Sequence, residues 1–140
     1  MKRCVMCLVK NWNKEEDTEK MITSYRELNV WQKADDLAFR IYDLTEKFPK
    51  AYQYNLTDQL RRSALSIPTN IAEGCASVHS KEFLQFLNIA RRSLSETEYL
   101  LHFSDRRGLV PKEEIDALRQ SIVLISKMIN GLIKSIRNKK

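Results

Sequence analysis

The stretch that decides the fold is residues 59–74, which read QLRRSALSIPTNIAEG. Apolar side chains recur in it every three or four residues, as they do on one face of a helix: Leu60, Ala64, Ile67, Ile71 and, just beyond the stretch, Cys75. A second set with the same spacing is polar and combines a cation, an anion, amides and a hydroxyl: Gln59, Arg62, Ser66, Asn70 and Glu73. The stretch therefore predicts a helix with an apolar face and a polar stripe. This polar stripe is the first candidate for a functional site.

Three interpretations of the polar stripe are open. Its side chains would form buried hydrogen bonds that fix helix register or subunit geometry, because interior polar groups need partners. Alternatively, Arg61 and Arg62 would face a channel and contact phosphates. A catalytic stripe is the weakest interpretation, because Glu73 is its single carboxylate and it contains no His or Cys. General acid–base catalysis usually requires a second titrating group.

The same periodicity predicts three further helices around this one. The four helices are expected at residues 30–48, from 56 to about 72–75, at 80–107, and after Pro111. The chain has only three Gly and three Pro, which favours few and long elements. Because the connections are short, consecutive helices are expected to be antiparallel. The predicted fold class is all-α, an up-down-up-down four-helix bundle over residues 24–140.

A surplus of apolar side chains indicates self-association. One bundle seam cannot cover the large apolar residues that lie outside the periodic positions: Trp31, Tyr42, Phe86, Leu100, Phe103, Leu124 and Ile133. A surplus of this kind is typical of subunit interfaces. We therefore expect a homo-oligomer.

Charge and composition narrow the class of partner. Hydrophobic residues make up 43% of the chain and charged residues 30%, a balance typical of soluble domains. No apolar run reaches the ~18 residues that cross a bilayer, so we expect a cytoplasmic protein without membrane contact. The net charge is +6, and residues 127–140 carry five cations and no acid. This positive charge is modest for a protein that binds nucleic acid. The alternative is a solvated helix end, where the helix dipole favours cations.

Residues 1–23 lie outside the helical pattern and are expected to form a separate, flexible N-terminal extension. They contain Cys4 and Cys7, which together with Cys75 and His79 would form a metal-like set suited to Zn²⁺. However, Cys75 follows the core period of its helix, where a Cys packs as a small hydrophobic residue. We therefore predict no metal and no cofactor.

The usual sequence motifs of catalysis are missing. The chain has neither a Gly-rich phosphate loop nor a Gly-x-Ser-x-Gly nucleophile elbow. It also lacks the His-Glu-x-x-His motif and the Glu-x-x-His pair that holds di-metal sites in helical bundles. We therefore expect no small-molecule substrate and predict that the protein is not an enzyme.

Several segments carry a resemblance to a known family: residues 25–34 (YRELNVWQKA), 56–64 (LTDQLRRSA) and 66–74 (SIPTNIAEG), with shorter matches in the third helix. The chain resembles the proteins encoded in intervening sequences of bacterial 23S rRNA genes, the S23-like family. It is distantly similar to the accessory proteins of diversity-generating retroelements. The resemblance covers about residues 25–136 and implies an up-down four-helix bundle, assembled as a pentameric ring. It implies nucleic-acid association and no catalytic activity.

The predicted nucleic-acid contacts are basic side chains that a ring would repeat in every subunit: Arg61, Arg62, Arg91, Arg92, Arg106, Arg107, Lys127, Lys134, Arg137, Lys139 and Lys140. Repetition multiplies weak phosphate contacts and makes binding strongly salt-dependent. The alternative for the arginines of the third helix is a solvated surface with intrahelical pairs to Glu96, Glu98 or Asp105.

Two functions follow from these patterns. The first is an oligomeric, non-enzymatic bundle that binds structured RNA or DNA with little base readout, because no exposed aromatic array that would stack single-stranded bases is expected. The second is a protein-interaction scaffold, a ring that organises a partner protein without contacting nucleic acid.

Overall fold

The computed structural model describes residues 24–138, and the predicted extension 1–23, with Cys4 and Cys7, lies outside the described residues. Four α-helices dominate this part of the chain. They are α1 (Asn29–Glu46), α2 (Asp58–Cys75), α3 (Ser80–Arg106) and α4 (Lys112–Asn138). Residues 24–138 contain no strand, so the predicted all-α, four-helix fold is confirmed for the described residues.

The periodic apolar positions of all four helices meet in one hydrophobic core. In α4, the residues spaced alternately by three and four are all buried: Ile115, Leu118, Ile122, Ile125, Ile129, Leu132 and Ile136. The seams of α1, α2 and α3 are buried in the same way. Burial of such stripes stabilises the fold by about 25 cal/mol per Å² of apolar surface removed from water.

The seven side chains of the apolar surplus divide into three groups, of which one is half-buried: Trp31 and Phe86. Leu100 and Ile133 are buried in the core of the single chain, so the expectation that one bundle cannot cover them is wrong. Each lies on the core side of its helix, beside the periodic seam. Tyr42, Phe103 and Leu124 are exposed, in agreement with the predicted surplus.

Helix ends differ from the predicted ends by one or two residues. Leu28 is the N-cap of α1, and α1 ends at Glu46, where the amides of Lys47 and Phe48 donate to the carbonyls of Leu44 and Thr45. Tightened last turns of this kind satisfy carbonyls that have no partner in the helix. The hydroxyl of Thr45 also donates to the carbonyl of Ile41 at 2.8 Å.

The connection between α1 and α2, predicted as a loop over residues 50–55, is helical. A 3₁₀ turn (Lys50–Tyr52) is followed by a π-helical turn (Gln53–Thr57) that leads directly into α2. Residues 50–57 contain neither Gly nor Pro, so nothing in them interrupts helical geometry. The π turn leaves the side chain of Tyr54 86% exposed.

The helices α2 and α3 approach each other closely at Gly74. A methyl group added at this position would lie 2.8 Å from Cδ2 of Phe83 and 2.9 Å from Cβ of Phe86. No side chain larger than hydrogen fits there without displacing α3. Pro68 is buried in the middle of α2 and removes one backbone donor from the helix.

No helix in the part of the chain that the structure describes is both long and apolar enough to cross a membrane.

Candidate polar groove and basic surface

A polar groove of about 590 Å³ runs along the outer edge of the α2–α3 contact. It is lined by residues of the π turn, of α2 and of α3: Tyr54, Asn55, Asp58, Gln59, Arg62, Ser63, Ser66, Ser93 and Glu96. Three residues of the polar stripe, Gln59, Arg62 and Ser66, are therefore part of its wall.

The floor of the groove is a ladder of hydroxyl groups between α2 and α3. Thr97, which is fully buried, donates to Oγ of Ser63 at 2.9 Å. One turn away, the hydroxyls of Ser66 and Ser93 are 2.9 Å apart. Asn70 donates through Nδ2 to both the carbonyl and the hydroxyl of Ser66, at 2.8 and 2.9 Å. Buried polar groups are costly unless paired, so these bonds favour one register of α2 on α3.

The rim of the groove carries charge. Gln59 donates to the carboxylate of Glu96 at 3.3 Å, which joins the two helices at this edge. Arg62 is exposed and makes no hydrogen bond or ion pair with any residue between 24 and 138. Asp58 stands one turn before Arg62, so the groove combines one cation with two carboxylates. Glu73, the last residue of the stripe, is exposed and lies outside the groove lining.

The groove lacks the parts of a nucleophilic catalyst. Its serine hydroxyls are engaged with one another, with Thr97 or with a backbone carbonyl, and no histidine lines it. Neither is a metal centre formed by the described residues, since no three His, Cys, Asp or Glu side chains in residues 24–138 converge on one point. Cys75 is buried at the end of α2.

Two of the predicted basic side chains, Arg61 and Arg107, form hydrogen bonds with other residues of the chain. Arg61 donates through Nε to the hydroxyl of Thr45 at 2.7 Å and through Nη2 to the carbonyl of Tyr42 at 3.3 Å. Its guanidinium also lies 4.7 Å from the ring centroid of Tyr42. Arg107 donates to the hydroxyl of Tyr52 through Nε and Nη2, at 3.2 and 3.0 Å. Both side chains tie helices or connections together, which leaves fewer of their donors for phosphate.

The other predicted basic side chains within the described residues are exposed: Arg62, Arg91, Arg92, Arg106, Lys127, Lys134 and Arg137. Lys139 and Lys140 lie outside the described residues. The acidic side chains that were expected to pair with the arginines of α3 either contact other residues or make no ion pair. Asp105 pairs with Arg119 of α4 at 3.1 Å, and Glu96 accepts from Gln59. Along the described chain, none of these seven cations has an acidic side chain within ion-pair distance.

Sequence reasoning did not identify the α3 half of the ladder or the aromatic wall of the groove. Ser93 and Thr97 occupy core-facing positions of α3 four residues apart, and small polar residues at such positions are a detectable signal. No feature of the sequence indicates Tyr54 as a groove residue, because the position of its side chain depends on the π turn. The assignment of the predicted basic residues to nucleic acid stays a prediction.

Similar proteins are found by family and by structure. A family model described as 23S rRNA-intervening sequence protein matches residues 26–131. No curated protein matches the chain. Among solved structures, the chain is similar to a protein of unknown function from the S23 ribosomal protein family of Bacteroides thetaiotaomicron, with 28% sequence identity and a TM-score of 0.70. The similarity covers 75% of this chain and 95% of the other.

The predicted distant similarity to retroelement accessory proteins stays a prediction. The family model covers most of the chain, including the stretch 59–74 and the α2–α3 ladder, and the solved relative has the same overall fold. The chain therefore belongs to the family of 23S rRNA-intervening sequence proteins.

Proposed function

We propose that this protein is a non-enzymatic, oligomeric four-helix bundle that binds nucleic acid through basic side chains repeated in each subunit. One observation carries the proposal. Among the described residues, seven of the predicted cations are exposed and have neither an acidic partner nor a hydrogen bond from the side chain to the rest of the fold. Cations left without partners attract phosphate through a long-range and salt-sensitive field.

The antiparallel arrangement of the helices is part of this proposal. Along α2, Gln59 meets Glu96, Ser66 meets Ser93, and Gly74 approaches Phe83. As the contact residue moves toward the C-terminus of α2, its partner moves toward the N-terminus of α3. This order supports opposite directions for the two helices. The short connection between α3 and α4 supports the same arrangement for the second pair.

In that arrangement, α3 and α4 would bring two cations to one level. The Arg119–Asp105 pair aligns the two helices. Arg91 lies fourteen residues before Asp105 and Lys134 fifteen residues after Arg119. At about 1.5 Å per residue, they are displaced from the pair by about 21 and 22 Å in the same direction. A basic face shared by α3 and α4 would therefore present paired phosphate contacts.

Assembly into a ring, with a pentamer as the proposed number, would repeat this face. Exposed apolar side chains support a subunit contact, with Phe39 71% exposed and Leu124 44% exposed. They flank a groove between α1 and α4. Five chains of 16.5 kDa would have a mass of about 82 kDa in light scattering. A monomer near 16.5 kDa would remove the multivalent part of the proposal.

The binding test is a salt series with fluorescently labelled RNA and DNA, read by anisotropy. One variant replaces Lys127, Lys134 and Arg137 with Gln; its matched control replaces Lys47, Lys50 and Lys112, which are also exposed. We expect the first variant to reduce the salt slope on duplex DNA by about 0.9 for each phosphate that is no longer neutralised, and the control to change it little. A wild-type Kd weaker than about 10⁻⁴ M at low salt would overturn the proposal.

A scaffold that organises a protein partner is the second candidate, supported by the exposed Phe39 beside Leu124. Large exposed apolar groups mark interaction sites more often than they mark catalytic ones. Pull-down with and without nuclease separates the candidates. A partner that survives nuclease treatment and is lost in a Phe39→Ala variant would favour the scaffold.

A further inference from the structure

The outer face of α3 carries a stripe of two aromatic rings between two cations: Arg92, Tyr99, Phe103 and Arg106. Arg92, Tyr99 and Arg106 are separated by seven residues each. Seven residues are nearly two helical turns, so successive members rotate by only about 20° around the helix. They therefore share one face, with neighbours about 10.5 Å apart along the axis. We call these four residues the α3 aromatic stripe.

The rings of the stripe are open to solvent. Tyr99 is 59% exposed and Phe103 is 41% exposed. Three other tyrosines in residues 24–138 hold an arginine over their rings, with guanidinium-to-centroid distances of 4.7, 4.7 and 6.0 Å. Within the same residues, no guanidinium or aromatic ring covers Tyr99 or Phe103. At least one ring face is therefore available to stack on a planar group.

The two cations beside these rings, Arg92 and Arg106, have no ion-pair partner among the described residues. Glu96 is the acid one turn from Arg92, and its carboxylate accepts from Gln59 at the groove. Glu98 is the residue before Tyr99, so it lies about 100° away around the helix. The stripe therefore presents two cations on either side of exposed rings.

We propose that the α3 aromatic stripe binds single-stranded nucleic acid, with a base stacked on Tyr99 and phosphates held by Arg92 and Arg106. The inference rests on the proposed nucleic-acid function and specifies its ligand as a single strand. Exposed aromatic rings beside cations are the arrangement that binds single strands without sequence preference. This differs from the sequence-based expectation of structured nucleic acid, since exposure of the two rings could only be read from the fold.

The dimensions of the stripe suit a short single-stranded segment. Arg92 and Arg106 are fourteen residues apart, or about 21 Å along the helix. At about 3.4 Å per nucleotide for a stacked strand, this length spans about six nucleotides. Single-stranded binding sites commonly cover about 4–16 nucleotides, so one stripe is long enough to be a complete site.

The test compares two labelled oligonucleotides of equal length, oligo(dT) and an abasic strand that has phosphates but no bases. Anisotropy titrations at one salt concentration use the full-length wild type and the Tyr99→Ala, Tyr99→Phe and Leu65→Ala variants. Leu65 is 47% exposed on α2 and controls for loss of an exposed apolar side chain. We expect Tyr99→Ala to weaken oligo(dT) binding about fivefold or more. Tyr99→Phe and Leu65→Ala should stay within about twofold of wild type.

The abasic strand separates stacking from every other cause. If Tyr99 stacks on a base, Tyr99→Ala leaves abasic binding within about twofold, because the phosphates are unchanged. Equal losses on both strands would show that the variant disturbs folding or assembly, and this would overturn the stacking role. Wild-type binding to duplex that is as tight as to oligo(dT), with no effect of Tyr99→Ala, would refute the inference but leave the proposed function standing. Failure of wild type on every nucleic acid would reject both.

Discussion

Gly74 gives the sharpest test of the α2–α3 contact. In the Gly74→Ala variant, the new methyl group would lie 2.8 Å from the ring of Phe83 and 2.9 Å from Cβ of Phe86. Phe83 is fully buried and cannot swing away, and the Cβ of Phe86 is attached directly to the backbone of α3. The two helices would therefore have to separate, or the end of α2 would have to unwind.

The expected magnitude follows from two opposing effects. Overpacking by one methyl group in a close-packed core costs about 1–3 kcal/mol. Replacement of Gly by Ala within a helix recovers at most about 1 kcal/mol, and less in the last turn. With two contacts under 3.0 Å, overpacking should prevail. We expect a net loss of about 1–2 kcal/mol and a fall in the unfolding midpoint of roughly 4–10 °C.

Thermal unfolding followed by far-UV circular dichroism measures this loss. The protein concentration is held fixed, because the proposed assembly would make the midpoint concentration-dependent. A Phe83→Leu change removes Cε2, which lies 3.1 Å from the new methyl group, and replaces the rigid ring with a smaller side chain, so the double variant provides the control. We expect Gly74→Ala to cost less in the Phe83→Leu background than in the wild type, since the two changes are in contact. A Gly74→Ala variant as stable as the wild type would refute the close approach of α2 and α3.

Two other predictions concern polar contacts. Arg61→Ala should lower the free energy of unfolding by about 1–3 kcal/mol, because Arg61 bonds to Thr45 and Tyr42 and stacks on the Tyr42 ring. Arg62→Ala, its neighbour, should stay within about 0.5 kcal/mol in urea unfolding, and equal effects would contradict the assignment. Thr97→Val should destabilise by about 1–3 kcal/mol, since it removes the buried hydroxyl that lies 2.9 Å from Oγ of Ser63 and 2.8 Å from the carbonyl of Ser93. An unchanged urea midpoint for Thr97→Val would mean that the ladder contributes nothing to stability.

Three of the α2 residues that carried the family resemblance are packing residues: Ser66, Asn70 and Gly74. Asn70 bridges to Ser66, Ser66 meets Ser93, and Gly74 allows the close approach to Phe83. These contacts agree with the interpretation of the polar stripe as a register device. Arg62 and Glu73 make no such contact within the described residues, so they stay available for other roles.

Helix existence and the core could be predicted from the sequence for a local physical reason. Backbone hydrogen bonds of a helix link residues four apart, and the buried stripe repeats with the same period. The apolar seams of α1 to α4 were accordingly readable from residue spacing, and the family membership from the resemblance of the quoted segments. The ends of the helices were predicted less accurately, because capping at Leu28 and the helical turns before α2 depend on local competition between hydrogen bonds.

Tertiary structure alone decided which polar and aromatic side chains are engaged. Arg61 and Arg62 are adjacent in sequence, but a rotation of about 100° points the first at α1 and the second at the α2–α3 groove. In the same way, Tyr99 and Leu100 are adjacent in sequence, yet only Leu100 meets another helix and is buried. The period of a helix defines which residues share a face. Which face is covered depends on where the other helices lie, and that is a property of the fold.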